Sequence, residues 1–241
     1  MTRAALAVLL LALCVFDVRA HDLITAESAQ RYLAIAGELQ NVIASEEPRD
    51  QRAQASLDLG KTLDEIGELL NRDLEAHGRV QGLASNLLMS ELNVRGTALA
   101  YSAETNRFTA NLQYYRAALK LSPAGPAAVD AMFRLLQGYF YDSFTIDPLR
   151  PTSQTRAQLA EQIKLAEGLL KKYPQHPERE ETTFILAIHY VQAARAAKLG
   201  KEQGMFAQKA RALAEEFSRR YPESMRVAAL PLILEGLAVD R

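Results

Sequence analysis

The sequence predicts an all-α protein, and three features of the chain support this prediction. Apolar residues recur at intervals of three and four, which places them on one face of a helix. No sustained alternation of apolar and polar residues marks a β-hairpin. Proline and glycine divide the chain into about nine segments of helical length. The clearest helical spacings are Tyr32, Ile35, Leu39 and Val42, then Leu59, Leu63, Ile66, Leu70 and Leu74, then Leu83, Leu87 and Leu88.

Residues 1–20 have the composition of a secretory signal peptide. Arg3 supplies a positive start, Ala4 to Phe16 is apolar, and Val18-Arg19-Ala20 is typical of a cleavage site. We therefore expect cleavage after Ala20 and a periplasmic location. The apolar run is shorter than the ~20 residues that span a bilayer, which disfavours an uncleaved anchor. An alternative is lipidation at Cys14, but Leu13 is larger than the residue a lipoprotein signal has before its cysteine.

The remaining ~220 residues contain no cysteine, so a hydrophobic core alone has to stabilise the exported chain. Removal of Arg3, Asp17 and Arg19 changes the formal charge from −1 to −2. Acidic and basic residues alternate along the chain. This pattern argues against nucleic acid or an anionic membrane as the partner.

Several helix ends follow from local residues. Pro48 begins a helix that His77-Gly78 ends, because glycine tolerates the left-handed conformation after a helix. Pro177 begins another, with His176 expected to cap it and acidic residues in its first turn. The longest irregular linker is expected at 143–153, and Pro231 is expected to kink the last helix.

The C-terminal half repeats itself at a nearly constant interval. Lys171-Lys172-Tyr173-Pro174 recurs as Arg219-Arg220-Tyr221-Pro222, and Leu165-Ala166-Glu167 recurs as Leu213-Ala214-Glu215, both 48 residues later. A shift of 51 residues in the other direction aligns Pro174 with Pro123. The same shifts align Phe184, Leu186 and Tyr190 with Phe133, Leu135 and Tyr139, and Phe184 and Leu186 with Leu232 and Leu234. Three units in one register indicate a stacked repeat protein.

The segment Tyr114 to Pro123 resembles the second helix of a tetratricopeptide (TPR) unit and its terminating proline. The matching residues are Tyr114, Tyr115, Ala118, Leu119, Leu121 and Pro123. The period is longer than the standard ~34 residues. The Tyr-Pro endings after basic pairs are similar to the long-helix repeats of bacterial envelope proteins. The resemblance implies a right-handed superhelix of antiparallel helix pairs over residues 105–241, after a helical region at 21–104 that has no clear repeat signature.

The resemblance also implies roles for individual residues. It places these residues in the repeat core: Tyr115, Ala118, Pro123, Leu135, Tyr139, Leu165, Pro174, Leu186, Ala187, Tyr190, Leu213 and Pro222. It places these residues on a concave face that binds a partner: Phe133, Gln137, Tyr141, Phe184 and Gln192. The implied function is that of an adaptor or assembly subunit for protein partners in the cell envelope, with no cofactor and no catalysis.

Other functions have weaker support in the sequence. Gly60-Lys61-Thr62 lacks the earlier glycine and the strand of a phosphate-binding loop. His21 at a processed N-terminus has the nitrogen ligands that copper favours, which gives a metal-binding protein or an enzyme as one alternative. A small-ligand carrier whose repeats enclose a cavity is another. His77 is expected near a helix end, and His189 at the surface or in a groove.

Overall fold

The computed structural model describes residues 23–103, 105–142, 153–197, 200–235 and 237. The predicted signal peptide, Cys14 and His21 lie outside these residues. Within the described part of the chain there are nine α-helices and almost no strand, which confirms the all-α prediction. The helices are α1 (Ala26–Ala44), α2 (Arg49–His77), α3 (Leu83–Val94), α4 (Leu112–Leu121), α5 (Ala128–Asp142), α6 (Ser153–Lys172), α7 (Arg179–Ala196), α8 (Lys201–Arg220) and α9 (Leu230–Leu234).

The described residues form two compact units. The first comprises residues up to Asn41 together with 61–109, and the second comprises 42–60 together with the residues from Ala110 onwards. Helix α2 contributes to both units. The second unit therefore includes residues 42–60, which the predicted boundary at residue 104 had placed with the N-terminal region. The reason is that Ala53 and Leu57 of α2 pack with Tyr115 of α4 in one core cluster.

In the first unit, helix α1 begins with reciprocal hydrogen bonds between Thr25 and Ser28. The Thr25 hydroxyl accepts from the Ser28 amide at 3.1 Å, and the Ser28 hydroxyl accepts from the Thr25 amide at 2.9 Å. Helix α2 begins directly after Pro48 and ends before Gly78, whose φ is +72°. Both predicted ends of α2 are confirmed.

A small hairpin in the first unit was not predicted. Strand β1 (Tyr101–Ser102) pairs antiparallel with β2 (Arg107–Phe108), and Asn106 in the connecting turn has φ 51°. Asn71 of α2 holds this hairpin. Its side-chain amide donates to the Phe108 carbonyl, and its oxygen accepts from the Phe108 amide, both at 2.8 Å. Strands of two residues are too short to produce a period-two pattern.

In the second unit, helices α4 to α8 follow one another as packed neighbours. Each consecutive pair is in contact, and the connections between α4 and α5, α6 and α7, and α7 and α8 are short, so these neighbours run antiparallel. Helices α4, α6 and α8 end at Leu121, Lys172 and Arg220, each two residues before a proline of the repeat. The register inferred from Pro123, Pro174 and Pro222 therefore matches the helix ends.

The chain after α8 forms what we call the terminal segment, which consists of a 3-10 helix (Met225–Ala229) and α9 (Leu230–Leu234). Pro231 lies in the first turn of α9. The predicted kink at Pro231 is wrong, because a proline in the first turn lacks only an amide that has no helical acceptor there.

Candidate partner-binding face

The repeat register divides the helices of the second unit into two sets. Helices α5, α7 and α9 contain the equivalent positions Phe133, Phe184 and Leu232, and are the first helices of their repeats. Helices α4, α6 and α8, which end before the prolines, are the second helices. First helices contact one another across the repeats, α5 with α7 and α7 with α9. Side chains from successive first helices can therefore form one continuous surface.

A row of polar side chains crosses this surface, and we call it the polar strip. It consists of Asp130, Arg134 and Gln137 on α5, Glu180 and Glu181 on α7, and Ser224 and Arg226 of the terminal region. The Gln137 amide donates to Glu181 Oε1 at 3.2 Å, which joins α5 to α7. Arg226 joins α7 to the terminal segment through Glu180 Oε1 at 3.2 Å and Glu181 Oε2 at 3.1 Å.

The ends of the polar strip are also hydrogen bonded. Arg134 Nη1 donates to Gln137 Oε1 at 3.3 Å, and Arg134 Nε lies 3.5 Å from Asp130 Oδ1. The Ser224 hydroxyl donates to Glu180 Oε1 at 2.7 Å and also accepts from the Arg226 amide. Three acidic and two basic side chains leave the strip with a formal charge of −1, so hydrogen-bonding geometry dominates over net charge.

Most of the strip is accessible to a partner. The side chains of Arg134 and Arg226 are each 40% exposed, whereas that of Glu181 is 19% exposed. Exposed ion pairs contribute only ~0–1 kcal/mol to stability. The exposed ion pairs of the strip therefore add little to folding, and the strip as a whole holds donors and acceptors in fixed positions on α5, on α7 and on the 3-10 helix before α9.

Two of the five predicted partner-binding residues are associated with this strip. Gln137 is a half-buried member of it. Phe184 is half-buried beneath it, with the Arg226 guanidinium 5.8 Å from the ring centroid and the Phe217 ring also 5.8 Å away. Phe184 therefore supports the strip from below and offers a partner only part of its ring.

The other three predicted residues are placed differently. Phe133 was predicted to lie on the partner-binding face. This prediction is wrong, since Phe133 is only 5% exposed and is therefore buried in the second unit. Gln192 is half-buried on α7, and its side-chain oxygen lies 2.9 Å from His189 Nδ1. Tyr141 belongs to α5, but its side chain is outside the described part of the structure.

His189 is fully buried, which corrects its predicted surface or groove position. Its ring packs edge-on to Phe140 with the centroids 6.0 Å apart. Burial lowers the pKa of His189 to about 4, although the hydrogen bond with Gln192 opposes this shift. The imidazole is therefore neutral at pH 7, and its contact with Gln192 fixes the orientation of that amide on the first-helix face.

The predicted core residues fall into three groups by exposure. The buried ones are Tyr115, Ala118, Leu135, Leu186, Ala187 and Tyr190. The half-buried ones are Tyr139, Leu165 and Leu213, which pack against the buried clusters. Pro123, Pro174 and Pro222 are exposed in the turns after their helices. The prolines thus end helices and lie outside the buried core.

Equivalent tyrosines join first and second helices in two successive repeats. Arg116 of α4 donates to the Tyr139 hydroxyl at 2.6 Å, with its guanidinium 5.4 Å from the ring centroid. Tyr190 donates to Glu167 of α6 at 2.5 Å, and Lys209 of α8 lies over the Tyr190 ring. Arg116 and Glu167 are themselves equivalent under the shift of 51 residues. Burial raises the pKa of Tyr190, and the Tyr190 hydrogen bond lowers the pKa of Glu167.

The remaining sequence candidates are parts of the scaffold. Gly60-Lys61-Thr62 lies inside α2, so its amides are in a helix and do not form a loop. His77 is the last residue of α2 and contacts Asp73 at 2.8 Å. His176 is buried two residues before the Glu178 N-cap of α7, which corrects its predicted capping role. Burial and the nearby Arg179 lower the pKa of His176.

Sequence reasoning missed the charged members of the polar strip. Glu180 and Glu181 were assigned only to the first turn of a helix, and Arg226 was not singled out. The repeat register could have identified the acidic members of the strip, because Glu181 is equivalent to Asp130 under the shift of 51 residues. Acidic residues at the same position of two first helices indicate a shared row of side chains.

No family model, curated protein or solved structure matched this chain. Among the described residues there is no group of three or more histidine, cysteine or acidic side chains arranged to hold a metal ion. Every helix in the described ranges is too short or too polar to cross a bilayer.

Proposed function

We propose that this protein is an exported, TPR-like adaptor or assembly subunit that binds a protein partner of the cell envelope. The observation that carries the proposal is the polar strip, in which Gln137, Glu181 and Arg226 link the first helices α5 and α7 of two successive repeats to the 3-10 helix that precedes α9. A partner that binds this strip would contact residues of more than one repeat at the same time. Such a surface favours a binding function over covalent chemistry.

The physical basis of binding would be hydrogen bonding in a fixed geometry. Gln137 and Gln192 both lie on first helices, and neighbouring side chains hold both of them. Gln137 is hydrogen bonded to Arg134 and to Glu181. Gln192 is hydrogen bonded to His189. Side chains that are already ordered lose less conformational entropy when a partner binds. Amides offer both a donor and an acceptor, which suits the backbone of an extended peptide.

Site-specific photocrosslinking in intact cells tests this proposal. A photoreactive amino acid is placed at Gln137 or Gln192 on the first-helix face, and at Gln208, an exposed position of the second helix α8, as the matched control. We expect the same partner to be captured from 137 and 192, and not from 208. Capture from 208 alone, or capture of nothing from 137 and 192, would reject the first-helix face as the binding surface.

A fractionation experiment tests the export part of the proposal separately. We expect the protein to be released with the periplasmic contents, and we expect its mature N-terminus to be His21. A protein that retained Met1 and stayed in the cytoplasm would contradict export, whatever the crosslinking result.

A further inference from the structure

The guanidinium group of Arg226 sits between two carboxylates and an aromatic ring of α7. Arg226 Nη1 lies 3.2 Å from Glu180 Oε1 and Arg226 Nη2 lies 3.1 Å from Glu181 Oε2, so its two terminal nitrogens contact different carboxylates. Its guanidinium carbon lies 5.8 Å from the centroid of the Phe184 ring. Carboxylates and aromatic faces are the groups that a guanidinium prefers. Helix α7 supplies both kinds of group within about one turn.

The repeat register shows that the same acidic position binds a guanidinium in two successive first helices. Asp130 of α5 is equivalent to Glu181 under the shift of 51 residues. The Asp130 carboxylate pairs with Arg134, which lies one turn later on the same helix. The residue of α7 equivalent to Arg134 is Ile185, which is buried. The guanidinium that pairs with the acidic residues of α7 therefore comes from outside this helix.

The Arg226 side chain can leave these carboxylates without unfolding the segment that contains it. The side chains of Arg226 and Glu180 are 40% and 37% exposed, and exposed ion pairs contribute little to stability. Other contacts hold the terminal segment, since Leu230 is buried in a cluster with Ala214 and Phe217 of α8. Replacement of Arg226 by a guanidinium of another molecule therefore requires no rearrangement of the helices.

Two neutral side chains keep the carboxylates in position during such an exchange. Gln137 donates to Glu181 Oε1 at 3.2 Å, and the Ser224 hydroxyl donates to Glu180 Oε1 at 2.7 Å. Neither hydrogen bond uses the Arg226 side chain. An incoming guanidinium therefore meets carboxylates that are already oriented, which reduces the entropy cost of binding.

We propose that Glu180 and Glu181, which we call the acid pair, bind an arginine side chain of the protein partner, and that Arg226 occupies the acid pair until the partner binds. This inference rests on the proposed function, because it names the partner residue that the polar strip recognises. Among the described residues, Arg226 is the only basic side chain in an ion pair with either carboxylate. Without Arg226 the acid pair has a formal charge of −2, which favours a cation. Phe184 favours arginine over lysine, because a planar guanidinium stacks on an aromatic ring.

Titration of the purified protein with the peptide acetyl-Gly-Arg-Gly-amide, followed by NMR, tests this inference. We expect Arg226→Ala to bind the peptide about 5-fold more tightly than the wild type, because the internal competitor is absent. A peptide with lysine in place of arginine should bind this variant at least ~3-fold more weakly than the arginine peptide. The matched control is Arg220→Ala, which removes an exposed arginine that lies over the Tyr221 ring and should leave the wild-type affinity unchanged. Equal affinities of the wild type and Arg226→Ala, or binding by neither, would overturn the proposal.

Further variants locate the peptide on the protein. Glu180→Gln/Glu181→Gln in the Arg226→Ala background should abolish the gain in affinity, and a gain that survives these changes would overturn the proposal. Arg226→Gln keeps a hydrogen-bond donor beside the acid pair and is the second variant if Arg226→Ala folds poorly. It should also bind the arginine peptide more tightly than the wild type does.

The titration and the photocrosslinking experiment separate the two proposals. The titration needs no cellular partner, and capture from positions 137 and 192 needs no arginine peptide. Partner capture without a gain in peptide affinity would reject the arginine site alone. A gain in peptide affinity without partner capture would reject the first-helix face as the surface that binds the cellular partner.

Discussion

The close approach of α2 and α4 in the second unit gives a quantitative prediction. Tyr115 of α4 is fully buried in a cluster with Ala53 and Leu57 of α2. A Cβ atom added to Gly60 of α2 would lie 2.7 Å from Cε1 of the Tyr115 ring and 3.1 Å from its Cδ1 and Cζ atoms. The tyrosine ring therefore occupies the space that an alanine at position 60 would need. The two positions should be energetically coupled.

The expected loss of stability follows from the burial of the Tyr115 ring. Tyr115→Ala removes on the order of 150 Å² of buried side-chain surface, which at ~25 cal/mol per Å² gives a loss of about 4 kcal/mol. Measured losses for large aromatic residues in cores are ~3–5 kcal/mol. Gly60→Ala gains ~1 kcal/mol of helix propensity, but overpacking against the ring costs ~1–3 kcal/mol. Without the ring, the same substitution should be stabilising by ~1 kcal/mol.

Urea unfolding of the wild type, both single variants and the double variant measures this coupling. We expect Gly60→Ala to be neutral or destabilising alone and stabilising in the Tyr115→Ala background, with a coupling free energy of ~1–3 kcal/mol. Gln113→Ala, at an exposed position of α4, is the matched control and should change stability by less than ~0.5 kcal/mol. Additive effects at 60 and 115 would show that the Tyr115 ring does not occupy the space that a Cβ atom at position 60 needs.

Three further predictions concern the repeat region. Tyr190→Ala should lower the free energy of unfolding by ~3–5 kcal/mol, measured in urea, because it removes a buried ring that also bonds Glu167. Between pH 6.5 and 4 the unfolded state binds a proton at His189 that the folded state does not, so the free energy of unfolding should fall by ~3 kcal/mol as the pH drops. His189→Leu should remove this pH dependence. An unchanged pH dependence in the variant would assign it to other groups. Gln137→Ala should leave the urea midpoint nearly unchanged while weakening partner capture, and an equal loss of stability to that of Tyr190→Ala would place Gln137 in the core.

Much of the fold could be predicted because helix ends depend on local residues. Pro48 and Gly78 mark the ends of α2, and the prolines at 123, 174 and 222 follow the ends of α4, α6 and α8. Proline and glycine end helices through their own backbone geometry, so these helix ends can be predicted from a single sequence. The handedness of the superhelix is set by how the repeats stack, and it stays a prediction.

The candidate site was harder to predict because it depends on the rotation of each first helix. One residue of error turns a helical position by ~100°, which is enough to exchange a surface position for a core position. Phe133 shows this effect, since it was expected on the surface and is buried, while its neighbour Arg134 is half-exposed. His189 was also expected at the surface and is buried. An imidazole that is neutral and has one hydrogen bond is compatible with the core. Pairs such as Gln137 and Glu181 are 44 residues apart and meet only through tertiary packing.

The bond between Asn71 and the hairpin has a consequence for solubility. A two-stranded ladder leaves an open edge, and such edges recruit strands from other molecules. The Asn71 amide satisfies both backbone groups of Phe108, as a third strand would. A single helical side chain thus occupies the outward backbone groups of β2 to which a strand of another molecule would otherwise bond.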